Sequence, residues 1–391
     1  MIVVSELGFG DGGHVPFNAG LLAVIRAAYP SEPLLFFGAA AHIEDLKEQA
    51  GGSLAATIKW EKITLPGSDL GYFPRLLCEM SMLRNLLATF PEDSPGLLLL
   101  TSVRPCTVVA LKLVKRSRFS KIKAQVVLHG HLSGVTGKRY RRPIRRFQEM
   151  RTALTIFGNR NLQYLVLEEC LRDSLVKNLP ALAGSVEVVD HPLPPNETES
   201  NTGSLCNPIR FGFLGLANES KGFPIFVKLA DAITREYGDK AEFHAIGRLG
   251  GSVGLGSNMA ALATKPGASR VSRSAYIQGV KQLHFIVFSH QGPSYELNSS
   301  GTLLDAIAWE KPVIARKIPL FQNMFSKHGN IGYLFGDDME LREIVQQIVQ
   351  RSDKSRYYQQ VLNIQRARRF RAPDALAATY RRICERVTSQ N

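Results

Sequence analysis

The chain has few cysteines, no long apolar run and fewer acidic than basic residues. Its five cysteines are scattered along 391 residues without a close pair at metal-ligand or redox spacing, which argues against a disulfide-built secreted domain. The apolar runs GLLLL and HFIVF are far shorter than the roughly 20 residues of a membrane-spanning helix. The first residues, MIVVSELGFG, lack the basic region and apolar core of a secretory signal. We expect a protein of a reducing compartment that at most lies on a membrane surface.

The composition predicts globular cores. Hydrophobic residues make up 45% of the chain and charged residues 21%, which excludes a disordered or fibrous class. The length is two or three times that of a typical single domain, so two lobes are expected.

The excess of positive charge is concentrated in one segment. The net charge is +14, and the segment from Lys112 to Arg151 contains thirteen basic residues against one acid, Glu149. Such a block attracts an anionic partner: nucleic acid, a lipid surface or a phosphorylated substrate. A merely solvated face is the alternative.

Alternating β-rich and helix-like runs predict an α/β architecture with parallel sheets. Residues 1–190 repeat this alternation, as in MIVV followed by FNAGLLAVIRAAY, and form the predicted first lobe. Residues 191–208, rich in Pro, Asn, Ser and Thr, are the predicted linker. A second alternating series, 209–364, forms the second lobe, and a last helix in 365–391 is expected to pack back on the first.

The stretch SYELNSSGTLLDAIAWEKPVIA, residues 294–315, places polar groups at the start of a helix-like run. Ser299 or Ser300 is a natural N-cap, and Gly301 opens the helix without a side chain, so free amides and the helix dipole favour phosphate oxygens there. Asp305 follows on the same face, about 6 Å along the axis. This spacing suits a pyrophosphate at the helix start and a ribose beside the carboxylate. An ordinary capped helix, with Asp305 paired to a neighbour, is the alternative.

A second strand-turn-helix unit supports a phosphate site. FGFLGLANESKGF places Gly215 in the turn after a strand and Lys221 at the start of the next helix. In an open parallel sheet both turns lie at the carboxyl edge, where ligands bind. The ammonium of Lys221 could therefore reach the same phosphates.

These segments resemble the nucleotide-binding lobe of GT-B glycosyltransferases, in particular bacterial family 4 and related enzymes of exopolysaccharide and lipopolysaccharide synthesis. The matching pieces are FLGLANESKGF, FHAIG, HFIVFSH, YELNSSGTLLDAIAWEKPVIA and NIGYLFGDD. The resemblance implies two Rossmann-like lobes facing across a cleft, with the nucleotide sugar in the second and the acceptor in the first. It implies a hexosyltransferase of EC class 2.4 that uses a UDP- or GDP-linked sugar as substrate and needs no cofactor or metal.

The resemblance also assigns phosphate-binding residues. Lys221 matches the phosphate-binding lysine of the family, and Ser300–Gly301 match the helix start under the diphosphate. The position after Gly215, often an arginine in the family, is Leu216. Arg248 or Arg273 is expected to supply the missing charge.

The paired-acid motif of the family is only partly matched. Asp305 falls where the second acid binds ribose, but the first acid is expected at the position of Leu297, and Glu296 lies one place earlier. Either Glu296 takes that role through a local shift, or recognition of the sugar differs.

The first lobe supplies the acid/base candidates. GFGDGGHVPFNAG follows the first strand and contains Asp11 and His14, and VVLHGH ends another strand with His129, which resembles the cleft histidine that contacts the donor sugar in the family. An inverting enzyme needs Asp11, His14 or His129 to remove a proton from the acceptor hydroxyl, whereas a retaining enzyme needs no such base. A structural role for each histidine is the alternative.

The basic segment then has a role beside the acceptor. GKRYRRPIRRFQEMRTAL is expected to start a helix near Pro143 with an apolar side. We expect it to dock on anionic lipid and to bring a polyprenyl-diphosphate-linked glycan to the cleft, at the inner face of the cytoplasmic membrane. The residues assigned to this contact are Arg139, Arg142, Arg145 and Arg146.

Two other readings compete with a transferase. A nucleic-acid-binding protein could use the same basic segment, but that segment lacks a recognisable RNA or DNA module, so no nucleic-acid partner is expected. A nucleotide-sugar epimerase, or a non-catalytic relative, would keep the fold and change the chemistry.

Overall fold

The computed structural model describes residues 1–10, 12–91, 96–129, 132–137, 139–158, 161–195, 204–251, 259–269, 271–290 and 299–386. They divide into two compact units. The first contains Met1–Asn196, Glu296–Ser299 and Arg371–Asn391, and the second contains Glu197–Tyr295 and Ser300–Phe370. Each unit is a parallel sheet with helices between its strands, which confirms the predicted α/β class.

The first unit is built on a seven-stranded sheet of order β3-β2-β1-β4-β5-β6-β7. Its strands are β1 (Ile2–Glu6), β2 (Leu34–Gly38), β3 (Lys59–Lys62), β4 (Leu97–Ser102), β5 (Lys123–Val127), β6 (Leu162–Val166) and β7 (Val186–Val188). Its helices are α1 (Val15–Ala28), α2 (Ala40–Ala50), α3 (Gly52–Ala55), α4 (Tyr72–Leu87), α5 (Pro105–Val114), α6 (Ser133–Thr136), α7 (Met150–Thr155) and α8 (Glu169–Asn178). The strand order reverses between β1 and β4.

The second unit is built on a six-stranded sheet of order β10-β9-β8-β11-β12-β13. Its strands are β8 (Ile209–Ala217), β9 (Ala241–Leu249), β10 (Leu262–Thr264), β11 (Phe285–Phe288), β12 (Val313–Arg316) and β13 (Gly332–Phe335). Its helices are α9 (Phe223–Tyr237), α10 (Arg273–Gln282), α11 (Gly301–Ala308), α12 (Pro319–His328), α13 (Asp338–Arg351) and α14 (Lys354–Phe370). The order reverses between β8 and β11.

Apolar runs form the central strands because helices cover both faces of each sheet. The strands β4 (LLLLTS) and β11 (FIVF) are buried at every position, whereas the edge strand β3 (KWEK) has none of its four residues buried. In the first unit, the adjacent residues Leu98 and Leu99 of β4 point to opposite faces of the sheet and belong to two different cores.

The last helix, α15 (Pro373–Arg386), belongs to the first unit and packs on α1. Tyr380 is buried in that contact, and its hydroxyl donates to Gln125 Oε1 at 2.9 Å. The guanidinium of Arg381 donates to the carbonyl of Ala28 at the end of α1, with Nη2 at 2.6 Å. The helix thus completes the core on one face of the first sheet.

A membrane crossing requires a helix that is both long and apolar, and no helix in the described stretches meets both conditions.

Candidate functional site

The carboxyl ends of β8 and β11 lie side by side in the second sheet. The two strands pair in parallel, and the strand order reverses between them. The turn after β8 leads into α9, and the chain after β11 leads to α11. Such a reversal leaves a crevice at the carboxyl edge of an open parallel sheet, and ligands bind there.

The turn after β8 carries Lys221 to the start of α11. Gly215 has a φ of +85°, and a Cβ built on it would lie 3.3 Å from Lys221 Nζ and 3.1 Å from Thr302 Cγ2. The ammonium and the first turn of α11 are therefore neighbours. Asn218 Oδ1 holds the turn by accepting from the amide of Lys221 at 2.9 Å.

Lys221 is half-buried, and its ammonium is partly desolvated. Burial lowers its pKa from the ordinary value, and the charge of Asp305 opposes that shift. Within the described stretches, the Nζ of Lys221 donates no hydrogen bond. A desolvated cation of this kind gains more from a bound anion than an exposed lysine does, because water no longer competes for it.

The start of α11 has the capped geometry that the sequence predicts. The Oγ of Ser300 accepts from the amide of Leu303 at 3.2 Å, and Ser299 precedes it in the chain. Gly301 is the first helical residue, and a Cβ built on it would meet nothing within 4 Å. The positive end of the helix therefore faces open space that an anion can fill.

Asp305 is held by two side chains of α10. The Nη2 of Arg273 donates to its Oδ1 at 2.9 Å, and the hydroxyl of Tyr276 donates to its Oδ2 at 2.7 Å. The sequence suggested Arg273 only as a further phosphate cation and did not single out Tyr276. The signal was their spacing of three in SRSAYIQGV, which places both on one helix face.

Two glycines allow the backbones of β8 and β9 to lie very close together beside this turn. Gly215 and Gly247 are partners in the parallel register, and a Cβ on Gly247, whose φ is +149°, would lie 1.9 Å from the carbonyl oxygen of Gly215. Arg248 follows Gly247 and pairs in register with Leu216, and its side chain is exposed. No ion pair of Arg248 occurs in the described part of the chain.

The second unit thus brings Gly215, Lys221, Ser300–Gly301 and Asp305 to one edge of its sheet. The other predicted residues of this region, Glu296 and Leu297, lie outside the described residues, and so does Asp11 of the first unit.

A carboxylate that the sequence reasoning missed lies at the corresponding edge of the first sheet. Glu6 ends β1, is fully buried, and accepts from the amides of Gly8 at 2.7 Å and Phe9 at 3.1 Å. The hydroxyls of Thr101 and Ser102, at the end of β4, also donate to it. Its signal in the sequence is an acid that closes the apolar run IVVSE.

Glu6 stays ionised in spite of its burial. Desolvation alone would raise its pKa, but the charge of the nearby His14 and the hydrogen bonds from Ser102 and Gly8 bring the pKa down to about 2. The Oε2 of Glu6 lies 3.7 Å from His14 Nδ1. This distance brings the two charges close but is longer than a hydrogen bond.

Three histidines of the first unit form one group. The ring of His14 stacks on that of His129 with centroids 4.0 Å apart, and His129 meets His191 edge-on at 5.3 Å. Burial, with the nearby charges of His14 and His191, lowers the pKa of His129 well below the usual range, and burial lowers that of His191 to about 3. Both are therefore neutral at physiological pH. His14, the N-cap of α1 with a left-handed φ of 64°, keeps 19% of its side chain exposed.

The basic segment is not one continuous helix. A 3₁₀ turn spans Pro143–Gln148, and α7 starts at Met150, so Glu149 separates the two. Glu149 has an extended backbone, and its carboxylate accepts from the amide of Tyr140 at 2.6 Å. Because this carboxylate anchors the preceding loop, the helix predicted from Pro143 is interrupted there. The arginines around the turn, termed the arginine surface below, are Arg139, Arg141, Arg142, Arg145 and Arg146.

Two of the thirteen cations are structural. Lys112 Nζ donates to the carbonyls of Leu154 at 2.7 Å and Ile156 at 2.8 Å, capping the end of α7, and Lys115 Nζ donates to the carbonyl of Ile122. Burial lowers the pKa of each lysine to about 8. The ammonium groups of these two lysines are therefore occupied within the first unit.

Sequence comparison identifies no family for this chain. No protein-family model matches it, and no curated protein matches it.

Solved structures of the same fold are numerous at low identity. A glycosyltransferase from Rickettsia africae ESF-5 is 9% identical over 100% of this chain and 99% of that chain, with a TM-score of 0.66. Anabaena Alr3699/HepE in complex with UDP and glucose is 13% identical over 98% of this chain and 99% of its own, with a TM-score of 0.67. An E. coli trehalose-6-phosphate structure bound with UDP-2-fluoro glucose is 11% identical over 99% and 98%, also at 0.67. The chain has the GT-B fold of two Rossmann-like lobes.

Proposed function

We propose that this chain is a glycosyltransferase that takes a sugar from a nucleoside-diphosphate sugar bound in the second unit. The observation that carries the proposal is the desolvated ammonium of Lys221 beside Gly215 and the first turn of α11. A cation, a free helix start and a nearby carboxylate match the diphosphate and the ribose of such a substrate. Two of the similar structures hold UDP or a UDP-sugar, which supports a nucleotide of this class.

Each group at this edge then has a role in the proposed reaction. Lys221 and the amides at Ser300–Gly301 neutralise the diphosphate, which is the leaving group when the sugar is transferred. Asp305 receives the ribose hydroxyls. These charges stabilise the leaving diphosphate in a retaining or an inverting reaction. For an inverting reaction, His14 of the first unit is the proposed base for the acceptor hydroxyl, and its Nδ1 lies 3.7 Å from the carboxylate of Glu6.

The proposed acceptor is a lipid-linked glycan of bacterial surface polysaccharide synthesis. The arginine surface supports a position at an anionic membrane, because Arg139, Arg141, Arg142 and Arg145 are exposed. The aromatic side chains of Tyr140 and Phe147, exposed by 45% and 39%, lie among them in sequence. Cations with apolar groups between them suit the surface of an anionic bilayer.

A thermal-shift panel of UDP, GDP and ADP tests the nucleotide site. One nucleoside diphosphate is expected to raise the melting temperature of the chain, because a ligand present at 100 times its Kd adds about 2.7 kcal/mol of stability. Asp305→Ala is the control and should reduce that shift. No shift with any nucleotide in a folded protein would contradict the proposal.

Transfer then separates the enzyme from its non-catalytic relatives. Release of UDP or GDP from the matching sugar nucleotide, measured in a coupled assay, is expected for the wild type. Binding without release or transfer, across a set of glycan acceptors, would favour the non-catalytic reading, and conversion of one sugar nucleotide into its epimer would favour the epimerase.

Vesicle flotation tests the arginine surface. The wild type is expected to float with vesicles that contain anionic lipid and not with neutral ones. Each cation near such a surface contributes about 1 kcal/mol, so a variant with Arg141, Arg142 and Arg145 replaced by glutamine should bind roughly 100-fold more weakly. Arg139 and Arg146 are left in place because they contact Glu149 at 3.6 Å and the carbonyl of Tyr140 at 3.2 Å.

The matched control is Arg235→Gln with Arg342→Gln. Both arginines are exposed on the second unit and pair with Asp231 and Glu236. This variant should float like the wild type. Equal flotation of the triple variant would remove the membrane role. Salt-sensitive binding of single-stranded RNA that competes with the vesicles would favour the nucleic-acid reading.

A further inference from the structure

The carboxylate of Asp305 has acceptor capacity left after its two contacts with α10. A carboxylate offers about four lone-pair positions, two on each oxygen. One position of Oδ1 is taken by Arg273 at 2.9 Å, and one of Oδ2 by Tyr276 at 2.7 Å. Among the described residues, each oxygen therefore keeps one acceptor position, and the two that remain match the two hydroxyls of a vicinal diol.

We propose that Arg273 and Tyr276 are positioning residues that orient Asp305 toward the 2′- and 3′-hydroxyls of the substrate ribose. The inference rests on the proposed function and adds a specificity device to the same site. It makes the site selective for ribonucleotides over deoxyribonucleotides, and it assigns that selectivity to two residues that need not touch the nucleotide.

The orienting pair is organised by its own helix. Arg273 is the first residue of α10, and Tyr276 lies one turn later on the same face. The guanidinium of Arg273 lies over the ring of Tyr276 at 5.3 Å from its centroid, and Ser272 caps the helix by accepting from the amide of Ala275 at 3.3 Å. Donors held in this way lose little rotamer freedom when they bind the carboxylate.

The position of Asp305 supports a ligand on its open side. Its side chain is 14% exposed, so the two contacts with α10 do not enclose it completely. Its charge also acts on Lys221, the cation proposed for the diphosphate. A diphosphate at Lys221 and a ribose at Asp305 are thus neighbours, as the covalent structure of a nucleotide requires.

Orientation matters because an aspartate is short. A carboxylate with no protein partners can turn about its terminal torsion, which is broad and roughly two-fold. The two bonds from α10 remove that freedom. Loss of either bond should therefore weaken the contact with the ribose diol while leaving the phosphate contacts of Lys221 in place.

Calorimetric titration with paired nucleotides measures this effect. UDP is compared with its 2′-deoxy and 3′-deoxy analogues, and GDP with the same analogues in parallel. The wild type is expected to prefer the ribonucleotide by about 10-fold or more over each analogue, since a hydrogen bond to a charged group contributes about 1.5–3 kcal/mol. In Tyr276→Phe and Arg273→Gln the preference should fall toward 1, with little change in affinity for the deoxy analogues.

Two kinds of control accompany these variants. Arg273→Lys, which keeps a cationic donor, should retain part of the preference. Tyr237→Phe and Arg342→Gln remove exposed groups of the same unit, which contact Gln350 and Glu236, and should leave the preference unchanged. These controls distinguish local orientation from a general loss of packing.

The outcomes separate the inference from the proposed function. If Tyr276→Phe and Arg273→Gln prefer the ribonucleotide over its deoxy analogues as strongly as the wild type does, the inference is overturned and the proposed function stays in place. A wild type that binds ribo- and deoxyribonucleotide equally also overturns it. Failure of every nucleoside diphosphate to bind the folded wild type overturns both.

Discussion

Replacement of Lys221 by methionine is expected to lower kcat/KM for the nucleotide sugar by about 100-fold or more while the chain stays folded. The ammonium lies beside Gly215 and Thr302 in a desolvated place, so methionine keeps the shape and removes only the charge. Loss of one partner from a buried, hydrogen-bonded charge pair costs about 2–5 kcal/mol. The coupled release assay, together with calorimetric titration of UDP, measures the change.

The same substitution should stabilise the ligand-free chain. Burial lowers the pKa of Lys221 below its ordinary value of 10.5, which means that the fold disfavours the charged form. The unfolded chain binds the extra proton between the lowered pKa and 10.5, so stability rises with pH in that window. Below the lowered pKa the wild type bears the full cost of the charge, and Lys221→Met should melt at a higher temperature there.

A matched variant tests whether the charge alone is responsible. Lys228→Met removes an exposed lysine from α9 and should change neither nucleotide affinity nor stability appreciably. If Lys221→Met binds UDP and GDP as tightly as the wild type does, the ammonium does not bind phosphate. A lower melting temperature would show that it forms a stabilising contact in the free chain.

The second large effect is expected at Glu6. Glu6→Gln should lower the free energy of unfolding by about 3 kcal/mol at neutral pH, because the pKa of this carboxyl falls from 4.5 to about 2 on folding. An amide of the same shape can keep its oxygen toward the amides of Gly8 and Phe9, but it then turns an N–H toward the donor Nδ2 of Asn18, which lies 3.2 Å from Oε2 of Glu6. Urea denaturation of the two proteins measures the difference.

The pH dependence gives an independent check at the same residue. A carboxyl whose pKa is depressed by folding stabilises the chain above its unfolded pKa and loses that effect as the pH falls through the folded value. The wild type should therefore lose about 3 kcal/mol between pH 4.5 and about pH 2, and Glu6→Gln should lack that loss. Parallel curves for the two proteins over this interval would contradict the assignment.

An exposed acid in the same unit provides the control. Glu61 pairs with Lys59 at 2.8 Å and has 39% of its side chain exposed. Surface pairs of this kind contribute about 0–1 kcal/mol, so Glu61→Gln should change stability by less than that. An equal loss in both variants would mean that the effect of Glu6→Gln does not arise from its buried contacts.

The features that the sequence predicted correctly are local ones. Buried parallel strands read as apolar runs, and the Ser300 cap followed by Gly301 marks the start of α11 within a few residues. The fold class is confirmed for the same reason, since each strand and the helix after it carry their own pattern. The turn with Gly215 and Lys221 also needed only adjacent residues.

The features that it missed depend on contacts between distant parts of the chain. The donors Thr101 and Ser102 lie about 95 residues beyond Glu6 in the chain, so nothing near IVVSE shows that the carboxylate accepts hydrogen bonds from them. A count of charges places Lys112 on a basic surface, whereas its partner carbonyls lie more than 40 residues away. The contact of Tyr276 with Asp305 depends on how α10 packs against α11, which the local sequence pattern does not show.

The contact between Gly215 and Gly247 has a consequence for evolution. Any side chain at Gly247 would collide with the carbonyl of Gly215, and Gly215 itself has a φ of +85° that favours glycine. Substitutions cannot accumulate at such a place without moving a strand. A mutational scan of the second unit should find Gly247 among its most intolerant positions, together with Gly222 and Gly332, where a Cβ would also lie 1.9 Å from a backbone oxygen.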